Sequence, residues 1–187
     1  TYSRILSEEG ANLVLADLPH TNVEHLAEKY GATAITIDIG SEKSVVDSVE
    51  KAEKIFGRFD GVINNAAITG DVIKSIDPEN AYAPFEEQSL KLWQKTIDVN
   101  LTGCFLLARE AGKRMRENGG SFIMVSSIYG VVSPDQRIYE NQNMGCRASY
   151  AASKAGIIGL TKWLSTWWAD DGIRVNCVVP GLSLIHI

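Results

Sequence analysis

Cysteine is scarce in this chain: Cys104, Cys146 and Cys177 are the only three in 187 residues, odd in number and far apart. That spacing supplies neither a disulfide framework nor the paired ligands of a zinc site, so the cysteines read as packing residues in a reducing compartment, and no metal is expected. Positive charge is not in excess either. Eighteen Lys and Arg against 23 Asp and Glu give a net charge of -5 with no basic cluster, which argues against nucleic acid as the main partner. No apolar run approaches the roughly 20 residues that cross a bilayer, and no signal-like stretch opens the chain, so a cytoplasmic location without a membrane partner is expected. Low-complexity segments and internal repeats are absent. A content of 45% hydrophobic and 22% charged residues describes one globular domain rather than disorder.

What is present is an alternation of short apolar strands with helix-period segments. "TYSRILSEEG" reads as the tail of an amphipathic helix, with Ile5 and Leu6 facing inward and Gly10 at the C-terminal cap. A helix tail of this kind implies sequence upstream. "ANLVLAD" is a first strand, Thr21 to Tyr30 a short helix and "ATAITIDI" a second strand. Ser41 caps a helix that carries Val45, Val46, Val49, Ala52, Ile55 and Phe56 at helical spacing, and Gly57 ends it. "FDGVINNAA" is a third strand running into a loop. After Pro78 and Pro84 come helices over residues 85–99 and 102–117, then "SFIMVSS" as a fourth strand, a polar loop, the helix of Tyr150 and a fifth strand, "GIRVNCVV". Apolar strands separated by helices mark a parallel sheet covered on both faces, so the expected class is α/β, doubly wound, in a single domain over residues 1–181. The closing "LSLIHI" is also what a common transposon-adapter sequence encodes, and Leu182 to Ile187 are expected to be foreign to the domain.

In such sheets ligands bind outside the carboxyl ends of the strands. Asp17, Asp38, the pair Asn64 and Asn65, and the pair Ser126 and Ser127 close four successive strands, which points to a site there. "SYAASKAG" adds Tyr150 and Lys154 one helical turn apart among small side chains. A phenol with a pKa near 10 is a poor proton donor or acceptor at neutral pH. A cation one turn away favours the tyrosinate and would make Tyr150 a usable acid and base.

The set resembles the short-chain dehydrogenase/reductase family over nearly the whole chain up to Gly181. "NNAA" is similar to the family's Asn-Asn-Ala-Gly turn with Ala67 in place of glycine, "DVN" to the segment carrying its catalytic-site asparagine, "SSIYG" to its serine strand, "YAASK" to its Tyr-x-x-x-Lys pair and "VVPG" to its Pro-Gly turn. The resemblance implies a Rossmann-like fold and an oxidoreductase that interconverts an alcohol and a carbonyl. Tyr150 would exchange the proton, Ser127 would bond the same substrate oxygen, Lys154 would also contact the nicotinamide ribose, and Asn100 would hold a water in a proton relay. Ser127 is preferred to Ser126 because the family serine lies three residues before the strand-end glycine, here Gly130. Asp17 would accept both hydroxyls of the adenosine ribose and repel a 2′-phosphate. With no Arg or Lys between Ala16 and Lys29, this favours NAD(H) over NADP(H). Asp38 and Ile39 match the adenine-edge position, and Asn65, Ala66, Ala67, Pro180 and Gly181 complete the cofactor residues that the resemblance implies.

Two departures stand out. The family's first strand with its Gly-rich turn, which holds the pyrophosphate, has no counterpart here, nor has its C-terminal strand. The first of these would occupy the middle of the usual strand order, so a gap in the sheet, weak dinucleotide binding and an inactive chain are expected. The stretch from Tyr129 to Tyr150 is longer than in the short branch and reads as a substrate-facing loop. With Glu140 it is similar to the extended branch of sugar-nucleotide epimerases and dehydratases, and also to oxidoreductases of flagellin-modification and nonulosonate sugars, which makes a sugar-derived substrate one reading. An epimerase or dehydratase that retains NAD, and a non-catalytic dinucleotide-binding protein, stand as alternatives. Surplus apolar residues on the last helix (Ile157, Ile158, Leu160, Trp163, Leu164, Trp167, Trp168) suggest a homodimer or homotetramer formed with the helix over 102–117.

Overall fold

Caps and apolar spacing place the elements close to where the sequence puts them. The computed structural model describes residues 2–139 and 145–181. Helix α1 (Tyr2–Glu8) leads to strand β1 (Val14–Asp17), α2 (Val23–Lys29), β2 (Thr33–Thr36), α3 (Glu42–Phe56) and β3 (Gly61–Asn64). Then come α4 (Gly70–Ile76), α5 (Leu90–Ile97), α6 (Gly103–Met115), β4 (Gly120–Val125), α7 (Ala148–Trp167) and β5 (Ile173–Val178). The Ser41 hydroxyl accepts from the Ser44 amide at 3.4 Å, and Gly57 closes α3 at φ 77°, a left-handed conformation that costs glycine nothing.

Every strand pair is parallel, in two groups: β1 with β2, and β3, β4 and β5 with β4 in the middle. No backbone ladder joins β1 to β3 among the described residues, and this is the gap expected from the lack of a Gly-rich first strand. Helices bridge the halves instead. Ile37 and Ile39, just past β2, share a core with Val45 and Val49 of α3, Leu92 of α5, and Val99 and Leu106 beyond it. Across the α3–α6 contact, Arg109 and Arg114 pair with Glu42 and Glu53, both at 2.6 Å. A second core packs Phe122 and Met124 of β4 and Val175 of β5 against Ala108 and Met115 of α6, Ile157 and Leu164 of α7, and Trp168.

Four details differ from the sequence reading. Ile5 is 44% exposed rather than inward-facing, because α1 is short and buries none of its residues. The helix expected over 85–99 begins only at Leu90, after a separate 3-10 turn at Phe85–Glu87, and from there runs on into α6 through a π-helical turn at Asp98–Thr102. Residues Gly70–Ile76 form α4, a seven-residue helix whose glycine start gives no helix signal. Ile55 and Phe56, at the end of α3, are each 39% exposed.

Candidate active site

A cavity of about 470 Å³ opens where β3, β4 and β5 end. The loop after β3 supplies Asn65, Ala67 and Thr69 to its wall, the turn after β4 supplies Ser127, Ile128 and Tyr129, α7 supplies Tyr150 and Lys154, and the turn after β5 supplies Pro180 and Gly181.

The two serines divide the work. Ser126 is buried and its hydroxyl donates to the Lys154 carbonyl at 2.7 Å, so although it also borders the cavity, its hydroxyl fastens β4 to α7. Ser127 is half-buried, and its oxygen accepts the Tyr129 amide at 3.2 Å. Gly130 lets the turn lie against α7. A Cβ there would stand 2.7 Å from both the Lys154 carbonyl oxygen and the Ser126 hydroxyl, closer than packed atoms tolerate.

Lys154 is 3% exposed; its ammonium donates to the Val125 carbonyl at 2.8 Å and lies 5.7 Å from the centre of the Tyr150 ring. Burial pulls the lysine pKa below its ordinary value. Burial also pushes the Tyr150 phenol above its ordinary range, and the Ser127 hydroxyl beside it pulls back in the other direction. Desolvation is the leading influence on both groups, and the Ser127 hydroxyl is the neighbour that draws the phenol down, while the Lys154 ammonium is held on the Val125 carbonyl.

Asn100 lies behind the cavity wall. It is fully buried in the π-helical turn, where its Oδ1 accepts the Ile68 amide at 2.7 Å. Its Nδ2 donates to the Ile68 carbonyl at 3.2 Å and to the Ser153 hydroxyl at 3.3 Å. Both donors of the side chain are thus engaged, and it braces the loop after β3 against α7 from behind the cavity wall. A π-turn at this place accords with the frequent use of such bulges near functional sites.

Asp17, Asp38 and Ile39 lie on the β1–β2 half, away from the cavity wall. Asp17 is exposed and its Oδ1 accepts the Leu18 amide at 2.8 Å; Asp38 Oδ1 accepts the Gly40 amide at 2.9 Å. Ile39 is only 7% exposed, in the core between α3 and α6. Ala66 is exposed between Asn65 and Ala67 but is not part of the wall. Thr69, Ile128 and Tyr129 are wall residues that the sequence reading missed; Tyr129, two positions past Ser127 in "SSIYG", carried a signal in its spacing. A smaller cavity of about 120 Å³ adjoins, walled by Tyr129, Tyr139, Arg147 and Tyr150 among others, so the long loop does reach the site. Glu140 and the segment Leu182 to Ile187 lie outside the described residues.

Parallel strands, covering helices and polar strand ends define a Rossmann-like α/β protein. A family model described as enoyl-(acyl carrier protein) reductase matches residues 1–184. The chain belongs to the short-chain dehydrogenase/reductase family. It is 30% identical to D-threitol dehydrogenase of Mycolicibacterium smegmatis over 96% of the chain and 63% of that protein. It is 34% identical to trans-4-hydroxycyclohexanecarboxylate dehydrogenase of Sinomonas cyclohexanicum over 97% of the chain and 66% of that protein. A crystal structure of levodione reductase superposes with a TM-score of 0.79 at 29% identity, over 96% of the chain and 65% of that structure. The chain thus spans slightly under two thirds of the length of these relatives.

Proposed function

We propose that the protein carrying this chain is an NAD(H)-dependent oxidoreductase that interconverts a secondary alcohol and a carbonyl. The observation that carries the reading is the meeting of Ser127, Tyr150 and Lys154 on one cavity at the strand ends, with the Ser126 hydroxyl tied to the backbone of α7. Relatives whose names specify dehydrogenation of a polyol and of a hydroxylated ring acid fit it, as does a polar substrate, sugar-derived ones included, facing the long loop.

The residues fit a dinucleotide at both ends. The Lys154 ammonium has three donors and, among the described residues, one partner, which leaves two for the nicotinamide ribose. Among the described residues Asp17 bonds only a backbone amide, and its exposed carboxylate suits ribose hydroxyls and disfavours a 2′-phosphate. Asp38, Asn65, Ala66, Ala67, Pro180 and Gly181 would line the rest; Ile39 would contribute backbone alone. When bound, the nicotinamide supplies or accepts the hydride. Tyr150, kept protonated by its burial, gives its proton to the carbonyl oxygen during reduction and regains one from solvent. Ser127 donates to that same oxygen, and Asn100 holds the wall in register.

The same reading makes the protein cytoplasmic and homo-oligomeric. Ile157, Leu164 and Trp168 turn into the core, while Trp163 and Trp167 are 56% and 62% exposed and stacked at 5.1 Å, near the pattern of an association face. Among the described residues no helix is long and apolar enough to cross a membrane.

The test is incubation with NAD+ and a panel of secondary alcohols while the absorbance of reduced nicotinamide is followed. Steady NADH formation with at least one alcohol is expected. Binding of dinucleotide without net production or consumption of NADH, across alcohols and carbonyls alike, would overturn the reading in favour of a closed redox cycle or a non-catalytic binder.

A further inference from the structure

Arg147 is the most unusual charged residue outside the Ser127–Tyr150–Lys154 group. It is 4% exposed, and its Nη1 donates to the backbone carbonyls of Asn80, at 2.8 Å, and Ala81. Its Nε and Nη2 are buried with no partner among the described residues, and none of the ion pairs found there includes it. Those two N–H groups point the same way from one edge of the planar guanidinium, the edge that takes both oxygens of a carboxylate. A buried cation with an unfilled donor edge is unfavourable to keep, because its unmet N–H groups have given up water without gaining a partner. A ligand that fills the edge removes that cost.

Arg147 helps to wall the 120 Å³ cavity, several times the roughly 30 Å³ that one water takes up. Arg147 and Tyr150 both wall this smaller cavity, and Thr69, Tyr129 and Tyr150 are shared with the larger one. The smaller cavity also adjoins the start of the twenty-residue helix α7, whose positive end favours an anion. The Tyr129 and Tyr139 hydroxyls share a hydrogen bond of 2.7 Å, and the one that accepts keeps a proton to offer. Asp77 acts on Arg147 only through space.

We infer that this smaller cavity is a carboxylate receptor and that the substrate is a hydroxy acid or keto acid, held by Arg147 at its acid end while its alcohol or carbonyl meets Tyr150. The assignment rests on the oxidoreductase reading for the role of Tyr150, but the receptor itself can be tested by binding alone.

The experiment is calorimetric titration of the protein carrying this chain with benzoate, its neutral counterpart benzamide and inorganic phosphate. Benzoate is expected to bind at least tenfold tighter than either of the others. In Arg147→Lys, which keeps the charge and loses the fork, benzoate is expected to weaken about tenfold and benzamide to stay unchanged. Circular dichroism confirms that the variant is folded, and the wild-type comparison decides the matter even if it is not. Equal binding of benzoate and benzamide, tighter phosphate, or unchanged benzoate affinity in folded Arg147→Lys would each overturn the receptor. Turnover of a neutral secondary alcohol with no carboxylate preference would sink only the receptor; carboxylate preference without hydride transfer would sink only the oxidoreductase reading.

Discussion

Replacing Lys154 by methionine separates what this residue does for the fold from what it does for chemistry. Lys154 is 3% exposed, and among the described residues its ammonium has one partner, the Val125 carbonyl at 2.8 Å. Burying one ion costs several kcal/mol after relaxation. A hydrogen bond from a charged donor returns about 1.5–3 kcal/mol, so a net penalty remains at neutral pH. Methionine fills a similar volume without charge, at the loss of one donor to Val125. The variant is therefore expected to match the wild type or exceed it by up to about 2 kcal/mol, and a protein of this size gains about 2–4 °C in melting temperature per kcal/mol. The sign of the pH dependence is a stricter test. Because burial lowers the folded-state pKa of Lys154 below its ordinary 10.5, the unfolded chain binds more protons between those two values. The contribution of Lys154 rises with pH across that window, whereas Cys104 and Cys146, whose thiols burial pushes up to about 11, and Tyr150, also pushed up, act in the opposite direction above their ordinary 9.0 and 10.0, so the test is the difference in pH slope between wild type and variant. Urea unfolding followed by circular dichroism at neutral pH and near pH 9.5 measures both quantities. A variant less stable by more than about 1 kcal/mol, or one with the same pH slope as the wild type, would refute the reasoning. Hydride transfer should fall sharply in the same variant, since Lys154 also faces the proposed nicotinamide ribose.

Four other outcomes are expected. Tyr150→Phe should lower turnover by roughly 10²–10⁴-fold with NADH affinity nearly unchanged, as single-turnover and fluorescence titrations would show, because only the proton-bearing oxygen is lost. Ser127→Ala should cost activity, whereas Ser126→Ala should chiefly cost stability, about 1–3 kcal/mol by urea unfolding, through its bond to the Lys154 carbonyl. Asp17→Ala should weaken NADH roughly tenfold and narrow the preference over NADPH; a wild-type preference for NADPH in the same titration contradicts the assignment. Charged substitution of both Trp163 and Trp167 should convert an oligomer to a monomer by light scattering, and a wild type already monomeric at micromolar concentration refutes the interface.

Much of this was legible in the chain because it is local. Ser41 and Gly57 cap α3 through atoms within a few residues, and the polar residues that end each strand follow from where the apolar runs stop. The family motifs located Ser127, Tyr150 and Lys154 before any contact was known. The sequence likewise foretold the gap between β1 and β3, since a strand with no counterpart in the chain can leave nothing else. Folding decided the properties that depend on what comes near from elsewhere. The amide of Asn100 is consumed by Ile68 and Ser153, 32 and 53 positions away, and Ile39 is drawn into a core shared with α3 and α6. Arg147 looks like an ordinary residue ahead of a helix until the carbonyls of Asn80 and Ala81 close over one side of it. Tyr150 and Lys154 carry their spacing in the sequence, but their proton affinities are set by how much water the surrounding elements exclude, a property of the packed volume that no pair of positions encodes.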